Sequence, residues 1–254
     1  MRVAEAMTRD FLTTRAEEEL GEVARRMIER WVGSAIVEAD SPGSAPGILT
    51  ERDVVEVVGA GDDPRRTRVA DHFTPEATSA APDWPLERAA EAMDRGGFRH
   101  LVVADGDPVG LLSILDIMRS WTSERSRDLT VQISEAMRRD FLEVEGTETV
   151  REAARRMVER GLGAAVVAAA KPKSAPGLVT DRDVLEVAAA GHDPGTAQVA
   201  DHLSQRMTFS APDWSLKQAA DAMTQGGFEH TVVVDRNGTA GVISISDIVH
   251  RLLA

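Results

Sequence analysis

The sequence predicts an α/β chain made of four small related units. Three observations carry that expectation: the two halves are duplicates, an apolar helix stripe occurs four times, and a seven-residue pattern closes each unit. Shifting the sequence by about 130 residues aligns Glu5-Ala6-Met7 with Glu135-Ala136-Met137 and Arg25-Arg26-Met27 with Arg155-Arg156-Met157. The same shift aligns Ser44-Ala45-Pro46-Gly47 with Ser174-Ala175-Pro176-Gly177, Val69-Ala70-Asp71-His72 with Val199-Ala200-Asp201-His202, and Pro82-Asp83-Trp84 with Pro212-Asp213-Trp214. About half of the aligned positions are identical, which marks a duplication, and each half repeats again more faintly every 60 to 65 residues or so.

The elements of one unit follow from spacing. Leu20, Val23, Ala24, Met27 and Ile28 fall on one face of a helix. The stripe recurs as Leu86, Ala89, Ala90, Met93; as Val150, Ala153, Ala154, Met157, Val158; and as Leu216, Ala219, Ala220, Met223. The small Ala pair on that face lets a neighbour, expected to be a sheet, approach closely, and the methionines read as core packing. After each helix a glycine leads into a β-branched run: Gly33 to Val37, Gly97 to Val103, Gly163 to Val167, Gly227 to Val234. A turn and a second apolar run follow, then another helix over Val54 to Val58, Ile117-Met118, Val184 to Ala190 and Ile248 to Leu253. A short extended piece such as Phe11 to Thr13 or Thr78 to Ala80 precedes the unit. A unit of about 55 residues is too small to be comfortable alone, so units should pair. The units are placed at 1–62, 66–122, 130–192 and 196–254, with the polar segment Ser120 to Asp128 as the joint between halves.

The second strand of each unit runs straight into the closing pattern. Its copies are Gly47-Ile48-Leu49-Thr50-Glu51-Arg52-Asp53, Gly110-Leu111-Leu112-Ser113-Ile114-Leu115-Asp116, Gly177-Leu178-Val179-Thr180-Asp181-Arg182-Asp183 and Gly241-Val242-Ile243-Ser244-Ile245-Ser246-Asp247. One account is purely structural: a hydroxyl at an N-cap with an acid three residues on is a capping box, worth about 1 kcal/mol per cap. The other is a ligand site. A helix start after a strand offers free N–H groups and a positive dipole end to a phosphate, the hydroxyl adds a donor, and an ionised Asp one turn in can accept from both hydroxyls of a ribose. A box would favour the longer Glu or Gln at the last position, yet every copy has Asp.

Composition bounds the remaining possibilities. With 254 residues and 43% apolar content the chain can bury a real core. It has no cysteine, which excludes disulfides, thiolate metal sites and thiol nucleophiles, and makes a cytoplasmic address the default. No stretch approaches the roughly 18 apolar residues of a membrane span, and Met1-Arg2-Val3-Ala4-Glu5 does not begin a signal peptide. A net charge of −13 repels phosphate backbones and argues against nucleic acid as a partner, while a compact nucleotide can still be held locally. No nucleophile elbow, Walker loop or triad spacing appears, so the chain does not read as an enzyme.

The paired α/β units, the glycine before each apolar strand, and Thr-Glu-Arg-Asp or Ser-x-x-Asp opening the last helix resemble CBS domains, named after cystathionine β-synthase. The resemblance covers nearly the whole chain as four CBS units in two tandem pairs. It implies an α+β fold, each unit a small sheet on two helices, with the pairs packed head to head as a pseudo-twofold disc. It also implies a regulatory module that binds adenosine derivatives in clefts between paired units: AMP, ADP or ATP, or in some relatives S-adenosylmethionine or cyclic di-AMP. By that resemblance Asp53, Asp116, Asp183 and Asp247 would hold ribose hydroxyls, and Thr50, Ser113, Thr180 and Ser244 would contact phosphate. A basic residue before the strand of the second unit, here Arg99 beside His100, would also meet phosphate. The implied protein is a stand-alone sensor, able to form homo-oligomers, whose output passes through an unknown effector protein.

The chain departs from that pattern at Glu229, which stands at the place of Arg99 and would repel a phosphate unless another cation intervened. The usual proline of that strand is replaced by Val102 and Val232. Alternatively Arg99 and Glu229 meet near the pseudo-twofold as an ion pair. Arg52 and Arg182 either reach phosphate or lie on a solvated face. His72, His202, His100 and His230 recur through duplication and lack the spacing of metal ligands. Trp84 and Trp214 read as staples for the helices that follow, and Trp31 and Trp121 as packing or cleft residues. The rivals to a sensor are an interaction scaffold whose motifs survive only as caps, and a nucleotide-converting enzyme.

Overall fold

A computed structural model describes residues 1–39, 45–125, 127–169, 175–205 and 208–254. Ser44 and Ser174 of the aligned Ser-Ala-Pro-Gly segments lie outside the described residues. The chain opens with a one-turn helix, α1 (Val3–Ala6), before the first repeat: β1 (Thr13–Thr14), α2 (Leu20–Glu29), β2 (Ser34–Val37), β3 (Gly47–Thr50) and α3 (Glu51–Ala60). The second runs β4 (Ser79–Ala80), α4 (Leu86–Gly96), β5 (His100–Asp105), β6 (Asp107–Ser113) and α5 (Ile114–Glu124). The third has β7 (Glu143–Val144), α6 (Val150–Glu159), β8 (Ala164–Val167), β9 (Gly177–Thr180) and α7 (Asp181–Ala189). The fourth has β10 (Phe209–Ser210), α8 (Leu216–Gly226), β11 (His230–Asp235), β12 (Gly238–Ser244) and α9 (Ile245–Leu253).

Every repeat folds its chain the same way. The short first strand pairs parallel with the second across the helix, and the second pairs antiparallel with the third, which gives a three-stranded sheet per repeat. The hairpin register ends with the motif hydroxyl opposite the first residue of the middle strand: Ser34 with Thr50, His100 with Ser113, Ala164 with Thr180, His230 with Ser244. The strand therefore stops, and the helix starts, at the same step in all four.

The repeats sort into two compact units that draw on both halves of the sequence. One comprises Phe11–Ala77 with Leu142–Gln205 and holds repeats one and three. Its core joins Leu20, Val23 and Met27 of α2 and Val54 and Val58 of α3 to Ala154 of α6 and Val184 and Leu185 of α7, all buried. The other comprises Met1–Asp10, Thr78–Phe141 and Arg206–Ala254 and holds repeats two and four. Its core joins Leu86, Ala90 and Met93 of α4 and Ile117 and Trp121 of α5 to Leu216 and Met223 of α8 and Ile248 of α9. Burying these stripes between repeats supplies the core that one repeat lacks.

The expected Ala pairs are buried, but they do not all meet a sheet. Ala153 packs within its own repeat against Val144, Ala165 and Val167, while Ala154 belongs to the core shared with repeat one. There α3 comes so close that a Cβ added to Gly59 would lie 3.0 Å from the Arg155 backbone and 3.2 Å from the Ala154 carbonyl carbon. Small residues on both helices permit that approach. The polar joint expected from Ser120 is also shorter at its start, because α5 continues to Glu124. Trp121 continues the apolar stripe of Ile117 and Met118 and is fully buried, which holds this last turn helical.

Candidate functional site

The leading glycine of each closing pattern is required by a close crossing. A Cβ on Gly241 would lie 2.6 Å from the Arg138 carbonyl oxygen, and one on Gly110 would lie 3.0 Å from that of Thr8 and 2.8 Å from Met7 Sδ. Gly47 and Gly177 are likewise pressed by Phe73 and Leu203. A neighbouring segment bridges the third strand at Ile48 with Thr74, Leu111 with Thr8, and Val242 with Arg138. Glycine thus admits a chain over the strand just before its helix begins.

All four helix starts are closed capping boxes. Thr50 donates to Asp53 Oδ2 from its N–H at 2.6 Å and from Oγ1 at 2.8 Å. Thr180 does the same to Asp183 at 2.7 and 2.6 Å, Ser113 to Asp116 at 2.9 and 2.6 Å, and Ser244 to Asp247 at 2.8 and 2.6 Å. The N–H of Asp116, Asp183 and Asp247 returns a bond to the hydroxyl at 3.2, 3.4 and 3.1 Å. The first helical N–H is taken by the residue before the middle strand: Glu51 by Gly33, Ile114 by Arg99, Asp181 by Gly163, Ile245 by Glu229. Each hydroxyl proton is therefore spent on its Asp, and a phosphate would have to displace that bond. The capacity for an anion is smaller than the bare pattern suggests.

The other carboxylate oxygen separates the sites into two kinds. Asp116 Oδ1 accepts from Arg119 Nη1 at 2.8 Å, one turn along α5, and Asp247 Oδ1 accepts from Arg138 Nε at 3.0 Å. Among the described residues, no guanidinium hydrogen-bonds Asp53 or Asp183, although the charge of Arg182 acts on Asp183 through space, and their side-chain bonds go to Thr50 and Thr180 through Oδ2. Burial raises both acids: Asp53 to about 6 and Asp183 to about 7, against the pull of their Thr hydrogen bonds, with Glu56 and Glu186 adding repulsion. A carboxylate that is costly to ionise and has one oxygen open to a donor is what a ligand diol would satisfy. Arg119 is legible from its (i, i+3) spacing. Arg138 is not, since 109 residues separate it from Asp247.

Arg52 and Arg182 turn away from their own motifs to carbonyl and acidic groups of the opposite repeat, a third arrangement beside phosphate contact and solvation. Arg99 and Glu229 form the ion pair, at 3.4 Å, with both side chains 22% exposed. Burial drives His100, next to that pair, down to about 4, so it is neutral at pH 7. The Arg99→Glu variant sets two acids together and is expected to destabilise the chain by about 1–3 kcal/mol, while Arg99→Glu with Glu229→Arg recovers most of the loss in chemical denaturation. A double variant no better than the single one would show that the pair does not stabilise the interface of repeats two and four.

Trp84 and Trp214 accept N–H bonds from Val3 and Ile133 through their carbonyls, at 2.9 and 2.8 Å, and thereby tie the segments that precede β1 and β7 onto repeats two and four. Trp31 has φ 54°, is 60% exposed and lies over the Arg182 guanidinium at 5.2 Å. Its duplicate is Gly161, for which that backbone region costs nothing. Among the described residues no cluster of three His, Asp or Glu could hold a metal, and no helix is long and apolar enough to cross a membrane.

Four βαββα repeats, each with a hydroxyl-and-Asp start to its last helix, define a repeat protein. A CBS domain model matches residues 3–60, 69–122, 133–190 and 199–254, and the chain belongs to the CBS-domain family. The uncharacterised protein MJ1225 of Methanocaldococcus jannaschii is 27% identical over 195 residues, 72% of this chain and 69% of that protein. The crystal structure of MJ1225, described as a candidate archaeal homologue of g-AMPK, shares the fold. It has TM-score 0.84 over 98% of this chain and 99% of the other, at 16% identity. The uncharacterised protein MK0525 of Methanopyrus kandleri is 31% identical over 121 residues, 47% of this chain and 61% of that protein. The Arabidopsis thaliana CBS domain-containing protein CBSCBSPB1 is 25% identical over 98% of this chain, which spans 52% of that relative.

Proposed function

We propose that this CBS protein is a regulatory sensor of adenine nucleotides, of the AMP, ADP or ATP class, and that its primary sites are Thr50 with Asp53 and Thr180 with Asp183. The observation that carries the proposal is the open Oδ1 of Asp53 and Asp183, on carboxyls that burial makes costly to ionise and whose other oxygen is fixed by Thr. A ribose diol supplies two donors to such an acceptor. At Asp116 and Asp247 the ligand would have to displace or share Arg119 or Arg138, so Ser113, Asp116, Ser244 and Asp247 rank second. Arg99 is committed to Glu229, and a phosphate would have to compete for it. Each repeat, taken as 1–62, 66–122, 130–192 and 196–254, acts as a positioning frame rather than a catalyst, and occupancy is passed to an effector protein by differential affinity for two states.

The closed boxes favour a second function, an interaction scaffold whose motifs serve only as caps. A thermal-shift screen with AMP, ADP, ATP and cyclic di-AMP separates them. A ligand at a hundred times its Kd is expected to add about 2.7 kcal/mol per site. No shift with any of them, at millimolar concentration and pH 8, would leave the scaffold.

A further inference from the structure

Arg52 and Arg182 immediately precede Asp53 and Asp183, yet each guanidinium reaches the other repeat, with Arg52 Nε also 3.7 Å from Glu56 Oε1 of its own helix. Arg52 Nη1 donates to the Leu162 carbonyl at 2.7 Å and lies 3.5 Å from Asp181 Oδ1, and its Nη2 is 3.4 Å from the Met157 carbonyl. Arg182 Nη1 donates to the Val32 carbonyl at 2.9 Å and to Glu51 Oε1 at 2.7 Å. Glu51 and Asp181 are the first residues of α3 and α7. Each arginine thus neutralises the acid that opens the helix bearing the other repeat's Asp. Both lie within the compact unit of repeats one and three, with Arg52 25% and Arg182 23% exposed.

We infer that this reciprocal exchange couples the two Thr sites with negative sign, so that a nucleotide phosphate at one weakens phosphate binding at the other. The inference rests on the nucleotide sites proposed above. A phosphate at the start of α3 attracts the guanidinium of Arg52, borne by the first turn of that helix, and holds that of Arg182, already paired there with Glu51. As Arg52 moves toward it, Asp181, only 4% exposed, loses a cationic neighbour, and its charge then opposes a second anion at the start of α7. By the same exchange, a phosphate at Thr180 draws Arg182 from Glu51. Two arginines cannot serve buried Asp181, part-buried Glu51 and two phosphates at once.

Calorimetric titration of the full chain with AMP tests the coupling, in an Asp116→Ala, Asp247→Ala background that removes the other two carboxylates. Two steps are expected, the second weaker by about tenfold or more. At pH 8, where both Asp53 and Asp183 are ionised, adenosine, which brings no phosphate, should bind in two equal steps. Glu51→Gln with Asp181→Asn keeps the arginines and removes the acids, and should merge the AMP steps; Arg52→Met with Arg182→Met should do the same. Equal AMP steps in the parent, or steps that stay apart in the Glu51→Gln, Asp181→Asn variant, would overturn the coupling and leave the nucleotide sites standing. Absence of AMP heat would overturn both.

Discussion

Replacing Asp53 and Asp183 together by Asn is expected to leave the chain at least as stable at pH 8 and to weaken adenosine binding about 5- to 150-fold per site, the equivalent of about 1–3 kcal/mol. Asn keeps an oxygen to accept from the N–H groups of Thr50 and Thr180, so the cap survives. What disappears is the ionised carboxylate, whose burial opposes folding at this pH. Isothermal titration and urea denaturation on the same preparations read the two effects separately. If the motif were only a cap, the stability result would be the same and no ligand effect would exist. A loss of several kcal/mol of stability on Asp→Asn would instead mean that the charge itself holds the helix start.

Binding and stability are expected to respond to pH in opposite directions. Both acids have folded values raised above the ordinary 3.8, to about 6 and about 7. The folded state therefore binds more protons than the unfolded state between about pH 4 and pH 7. The stabilisation is fully present below the unfolded value and is lost as pH rises through the folded values. Denaturation of the parent minus that of the Asp53→Asn, Asp183→Asn variant isolates this contribution, which should fall by up to about 7 kcal/mol over the window. Ligand affinity runs the other way, because the diol needs the ionised acceptor. For adenosine, which avoids titration of a phosphate, lowering the pH from 8 to 6 should weaken the Asp183 site about tenfold and the Asp53 site about twofold. Affinity independent of pH would contradict a carboxylate acceptor.

Much of the fold was legible because local chemistry and periodicity agree. The Leu20 to Ile28 stripe fixed a buried helix face, the β-branched runs fixed the strands, and Thr50 or Ser113 followed by Asp fixed where the helices begin. What stayed hidden depends on which surfaces meet. Arg52 reaches a carbonyl 110 residues away and Arg138 an acid 109 residues away, and no local pattern encodes those meetings. The leading glycine looked like a strand entry, and its cause, a crossing chain over Gly110 and Gly241, exists only after the repeats have folded. Arg99 and Glu229 were readable as a pair only because the duplication placed them at equivalent positions.

Four copies of one pattern share a cap, yet two have their second carboxylate oxygen engaged by arginine and two do not. The measurement that tests nucleotide binding at the open pair most directly is an AMP titration of the isotopically labelled chain at pH 8. It would follow the backbone amide signals of Thr50, Thr180, Ser113 and Ser244 by two-dimensional NMR. Saturable shifts that appear first at Thr50 and Thr180, and vanish in the Asp53→Asn, Asp183→Asn variant, are the expected result. Amide signals at all four positions that stay unmoved at millimolar AMP would contradict it.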